Sequence, residues 1–138
     1  MKVKVSLNKK LHAFSLTELL IVLVIIGILV LLALPNLMPL ISKAKSTEAQ
    51  IQLGHVHMLQ KNNFYMHSRY SDDLTEIDFE HEKLVTEGGN ANYRIEIIDA
   101  SVTGFKARAT AVVDFDGDGN FNTWEINEEK QLKEIIKD

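Results

Sequence analysis

Residues 19–34 read LLIVLVIIGILVLLAL, with no polar side chain among them. A run of this length and composition has few physical outlets. A membrane-spanning helix needs about 20 apolar residues, and residues 14–34 meet that length. A cleaved secretory signal has a shorter apolar core, about 7–15 residues, followed by a small-x-small cut site. Leu34-Pro35-Asn36-Leu37 offers no such site. An anchor helix is the simpler outcome, yet it leaves Glu18 unexplained. A carboxylate at the edge of a bilayer core is costly unless it has a partner or a task.

Charge supports a targeting layout. The formal charge is −4. Lys2, Lys4, Lys9 and Lys10 face no acid in the first 13 residues, so that segment carries +4 and the remainder −8. A basic start followed by an apolar run keeps the lysines on the cytoplasmic side. The acidic remainder argues against nucleic-acid binding. The chain has no cysteine, so a small exported domain would need a clamp other than a disulfide, and a metal is the usual alternative.

The stretch Ala13-Phe14-Ser15-Leu16-Thr17-Glu18-Leu19-Leu20-Ile21 closely resembles the processing site of type IV pilins and type II secretion pseudopilins. In that family a short basic leader is cut before a Phe, which is then N-methylated, and the fifth residue after the cut is a Glu. The resemblance places the cut between Ala13 and Phe14 and puts Glu18 at the fifth position. The residue before the cut is usually Gly; here it is Ala13, also small. Ile26-Gly27-Ile28-Leu29 and Pro35 are similar to the family as well. The resemblance implies that the freed amine of Phe14 on one subunit approaches Glu18 of its neighbour in a dry helical bundle. A buried charge needs such a partner, so the pair would set register more than stability.

The resemblance implies a fold of the α+β class: a long N-terminal helix, membrane-spanning in its first half, packed on a small antiparallel sheet. It divides the chain into a leader at 1–13, a transmembrane and assembly helix at 14–35, and a periplasmic globular domain at 36–138. The residues agree. Ser15 or Thr17 can begin a helix. Pro35 and Pro39 each remove a backbone hydrogen bond and should loosen it. Leu37, Ile41, Ala44, Ile51 and Met58 recur at three-and-four spacing, and Leu40, Leu53 and Val56 form a second face. Two apolar faces suit a helix that touches its own domain on one side and neighbours on the other. Such a helix to about Tyr65 would be about 75 Å long. Asn62-Asn63 ends the pattern, and residues 62–92 read as a polar, broken loop.

Tyr93, Ile95 and Ile97 alternate with polar residues, as do Phe105, Ala107, Ala109, Ala111, Val113 and Phe115, which predicts two strands joined by a turn at residues 101–104. The inward alanines would let a sheet approach a helix closely. At the C-terminus Trp124-Glu125-Ile126 alternates like a strand, and helix propensity over EEKQLKEI competes with a hairpin turning at residues 127–130, the outcome the family resemblance favours.

DFDGDGNFNTWE, residues 114–125, fits the calcium-loop pattern D-x-[DN]-x-[DN]-G-x5-E at every position. Asp114, Asp116 and Asp118 hold positions 1, 3 and 5. Asn120 offers its carbonyl at position 7, Asn122 stands at position 9, and Glu125 can bind through both oxygens at position 12. Phe121 is placed to anchor the loop to the core. The flank Ala111-Val112-Val113 is β-like, so the expectation is a lone Ca2+ loop between strands, with a structural role, rather than a helix–loop–helix sensor. An ordinary Asp-Gly turn is the plainer alternative. Calcium loops also occur in some pilins and major pseudopilins.

His55 and His57 point to different helix faces, and His67 and His81 sit in polar stretches, so solvated rings are expected rather than ligands. With no phosphate loop and no nucleophile motif, no enzyme is expected. The resemblance implies a structural subunit of a type IV filament, foremost a major pseudopilin of a type II secretion system. The alternative within the family is a surface pilin for adhesion, twitching or DNA uptake. A membrane-anchored calcium-binding domain that does not polymerise is the alternative outside it. The implied partners are the chain itself in a helical homopolymer, a prepilin peptidase, an inner-membrane assembly platform with its ATPase, and minor pilins or pseudopilins. The implied site is the inner membrane, N-terminus in the cytoplasm and domain in the periplasm, before assembly.

Overall fold

A computed structural model of the protein describes residues 13–138, so all of the expected leader but Ala13 lies outside the described residues. The first helix, α1, runs Leu16–His67. The chain divides after Pro35 into two compact units.

In the first unit the helix begins at a capping box. The Ser15 hydroxyl accepts the Glu18 N–H at 3.2 Å, and a Glu18 carboxylate oxygen accepts both the Ser15 N–H at 2.8 Å and the Ser15 hydroxyl at 2.9 Å. This reciprocal pairing satisfies two donors that a helix start otherwise leaves open. Behind it the apolar side chains are exposed throughout, and none of the most apolar 18-residue window is buried.

The second unit, Asn36–Asp138, holds the rest of α1 and a four-stranded antiparallel sheet. The strands are β1 (Tyr93–Ala100), β2 (Phe105–Ala111), β3 (Thr123–Asn127) and β4 (Leu132–Ile136), in spatial order β1-β2-β3-β4. The long helix on an antiparallel sheet is the expected α+β fold. A hairpin closes the C-terminus: Lys130, with φ 63°, donates its N–H to Asn127 O, so turn geometry and strand pairing override the local helix propensity.

The helix face turned to the sheet is Ser42, Ser46, Ala49, Leu53, Val56, Gln60 and Asn63. These residues alternate steps of four and three, one heptad stripe. Opposite them Ala107 and Ala109 are fully buried and Ala111 nearly so. Ala49, Leu53 and Val56 of the helix share one buried core with these alanines. The more apolar stripe is left outside: Ile51 is 68 % exposed, Met58 53 % and Tyr65 80 %. Of the second apolar set, Leu53 and Val56 are buried and Leu40 is not.

Three local expectations are corrected. Helical geometry continues through Pro35 and Pro39, and the helix passes Asn62-Asn63 to reach His67. Asn63 does not break it because its side chain faces inward, donating to Arg69 O at 3.1 Å and accepting from His67 Nδ1 at 2.9 Å. Strand β2 ends at Ala111 rather than running to Phe115. Asn122 O takes the Ala111 N–H and Asn92 O takes that of Val112, which draws the chain out of the ladder.

Candidate functional site

Two places gather chemistry-bearing residues. The first is the N-terminal cap. Phe14 is 84 % exposed, and Glu18, expected to serve assembly, is engaged with Ser15 of its own chain. Sequence reading treated Ser15 only as a helix start; the S-x-x-E spacing was the signal for its partnership with Glu18.

The second is the loop between β2 and β3. Asp114 is its pivot: one carboxylate oxygen accepts the Gly117 N–H at 2.6 Å, the other that of Gly119 at 2.8 Å. Gly117 and Gly119 have φ of 82° and 89°, a region that favours glycine and lets the chain wrap around the carboxylate. The Gly119 N–H bond, opposed by desolvation and helped by the Gly117, Asp116 and Asp118 amides, holds the Asp114 carboxyl below its ordinary range. Asp116 accepts the Asp118 N–H at 3.0 Å, and Asp118 accepts the Asn120 N–H at 2.7 Å. The Asp118 amide pulls the Asp116 carboxyl down, but desolvation and the charges of Asp118, Asp138 and Asp114 together outweigh it and leave the group raised.

Asp138 completes the cluster from outside the pattern. Its side chain accepts the Phe115 N–H at 2.9 Å and the Asp116 N–H at 3.1 Å, and its main-chain oxygen accepts the Ser42 hydroxyl at 2.7 Å. Carboxylate oxygens of Asp114, Asp116 and Asp138 lie within 4.8 Å of one another. No spacing rule within residues 114–125 could have pointed to Asp138.

The other predicted ligands go elsewhere. Glu125, on β3, accepts from Arg108 Nε at 2.9 Å and from its terminal nitrogen at 2.6 Å. Asn122 is fully buried. Its Oδ1 accepts the Tyr93 hydroxyl at 2.7 Å and the Trp124 indole at 2.8 Å, while its Nδ2 donates to Glu134 and to Ile136 O. Asn120 is exposed in the loop, and its side chain donates to Asp118 at 3.0 Å. Phe121 is 44 % exposed and does not anchor the loop; Phe115 does, with its ring 5.9 Å from that of Tyr93. The donor set that remains, three carboxylates with the Asp118 side chain beside them, is all hard oxygen and suits a cation such as calcium rather than a soft metal.

The histidines are not merely solvated. His57 Nε2 is 3.1 Å from Glu128 O, His67 bonds Asn63, and His81 bonds Glu82 O and the Ile95 amide.

Residues 8–34 match the family described as the prokaryotic N-terminal methylation motif. The chain is also 38 % identical, over 88 residues, to the type IV major pilin protein PilA of Myxococcus xanthus (strain DK1622). That match covers 64 % of this chain and 38 % of the relative, so the chain spans well under half the length of the protein it resembles. The methylation motif, this similarity and a long apolar helix followed by an antiparallel sheet together support a type IV pilin-family protein.

Proposed function

We propose that the chain is a structural subunit of a type IV filament, processed by a prepilin peptidase after Ala13, methylated at Phe14 and polymerised through its N-terminal helix. The observation that carries this is the apolar surface of that helix. Side chains from Leu19 to Leu34 are exposed, and in the second unit Ile51, Met58 and Tyr65 are exposed as well. A bilayer would cover the first part before assembly, and neighbouring copies would cover all of it afterwards. The basic leader keeps the N-terminus in the cytoplasm, which sends residues 36–138 to the periplasm. An assembly platform and its ATPase would supply the work of extraction.

Two filaments suit this subunit. The cysteine-free domain with its acidic loop supports a major pseudopilin of a type II secretion system. The similarity to a protein named as a type IV major pilin supports a surface pilus equally well. Deleting the chain and scoring secretion against surface filaments separates them. A secretion defect with no loss of surface filaments supports the pseudopilus, and the reverse supports the pilus.

The acidic loop goes with this proposal as a structural calcium site. Asp114, Asp116 and Asp138 would hold the ion, with Asp118 and the carbonyl of Asn120 beside them. The ion would neutralise carboxylates that now repel one another and fix the loop to the end of β4. Glu125 and Asn122, expected as ligands, serve β3 and the core instead.

Intact mass of the native protein tests the main reading. A chain beginning at Phe14 with one added methyl group is the expected result. A chain beginning at Met1, with no polymer in the membrane or in sheared material, would leave only an anchored calcium-binding domain.

A further inference from the structure

Three histidine rings in the described residues face acceptors or donors that fix their protons, and one of them differs in kind. His57 Nε2 faces the Glu128 carbonyl, and His67 Nδ1 faces Asn63 Oδ1. Both nitrogens donate, which an imidazole can do whether neutral or charged. His81 Nδ1 lies 2.6 Å from the Glu82 carbonyl, so that nitrogen carries a proton. His81 Nε2 lies 3.0 Å from the Ile95 amide nitrogen. A backbone N–H only donates, so Nε2 must be bare. The ring is committed to the neutral Nδ1–H form, and the one place left for a second proton is already occupied by the Ile95 N–H.

Ile95 lies in β1, at the edge of the sheet, and its N–H is turned away from β2. An unpaired donor on a sheet edge is a starting point for pairing with another chain. His81 covers it with a side chain, and it is exposed enough to take a proton from solvent. We propose that His81 is a proton-sensitive latch on the β1 edge. Neutral, it ties residues 80–83 to the strand; protonated, it lets go of Ile95 and opens that donor.

The release is local because the segment is pinned on both sides. Phe79 and Leu84 are buried, and Leu84 makes a bridge to Ala91. The charged residues that flank the pair in sequence are Glu80, Glu82 and Lys83 beside His81 and Arg94 and Glu96 on either side of Ile95. From α1, His55 packs on Phe79 at 5.6 Å, and Phe79 packs edge-on to His81 at 6.2 Å.

The test uses the full chain, isotope-labelled, in detergent micelles. Imidazole nitrogen shifts at neutral pH should show His81 protonated at Nδ1 and bare at Nε2. Amide exchange of Ile95, corrected for its intrinsic pH dependence, should rise about fivefold to tenfold as His81 titrates, the loss expected for one hydrogen bond. His81→Phe should show the fast exchange at every pH, with no step. An Nε2-protonated ring at neutral pH, or Ile95 protection unchanged across the His81 titration, would overturn the proposal. Both readouts come from the wild-type chain, so they stand even if the variant fails to fold.

Discussion

The Gln60 side chain holds Ser71 by both ends of its backbone unit. Its Nε2 donates to Ser71 O at 2.6 Å, and its Oε1 accepts the Ser71 N–H at 3.0 Å. Gln60 is fully buried and Ser71 nearly so. The pair fixes where the chain leaves α1 and turns toward residues 72–92. Gln60→Ala strands two buried backbone groups, and unfolding of the full chain in detergent should show a loss of about 2–4 kcal/mol.

Ala109 has no room to grow. It is fully buried between α1 and the sheet, paired with Ile95 on one side and Trp124 on the other. Ala109→Leu should cost about 1–3 kcal/mol through overpacking. Arg94→Ala, one ladder position away and exposed, serves as the control and should change little in the same denaturation experiment.

Burial pushes the His57 ring below its ordinary value; the Glu128 carbonyl opposes this, and Lys61 and Lys130 reinforce it. The folded state therefore binds fewer protons than the unfolded state between the depressed value and the ordinary one near 6.5. Stability contributed by neutral His57 is present above about pH 6.5 and is lost as pH falls from there through the folded value. His57→Gln should flatten the fall in Tm between about pH 7.5 and 5, compared with the wild type. An unchanged pH slope would show that His57 has no part in it.

Glu18 has two separable properties, its cap and its charge. Glu18→Gln keeps a side chain that can reach back to the Ser15 amide, since Gln serves at that position of a capping box. If the charge serves assembly, the variant should insert and be cut normally but yield few filaments by shearing and microscopy. Ser15→Ala removes the hydroxyl instead and should cost about 1 kcal/mol at the helix start.

Calcium should raise the Tm of the full chain, and a chelator should lower it again. Asp114→Asn should abolish the difference, because Asp114 organises the loop. Asn122→Ala should destabilise with and without calcium alike, since its four bonds run into the core. Equal calcium shifts in wild type and Asp114→Asn would remove the loop from the metal reading.

The parts of this fold that were legible in the sequence are those where one physical pattern dominates. The apolar run of residues 19–34 admits few structures, and the alternation from Tyr93 to Ala111 admits one face inward. Reading failed where a single contact decides. Asn63 looks like a helix breaker until its amide finds Arg69 O. Asn122 and Glu125 fit a ligand pattern, yet Tyr93, Trp124 and Arg108 claim them. Asp138 joins Asp114 through folding alone. The helix stripe that is buried includes Ser42, Ser46, Gln60 and Asn63, while Ile51 and Met58 stay exposed, so apolar spacing alone did not show which face turns inward.

The sheet is a plain meander, each strand pairing with the one before it. As the domain emerges in chain order, each strand after β1 would find its partner already present, with no long loop to close. The one distant search, between the sheet and α1, begins with the helix in place as a fixed wall. Synthesis and folding can thus proceed in the same order, so that few strand edges stay unpaired long enough to aggregate.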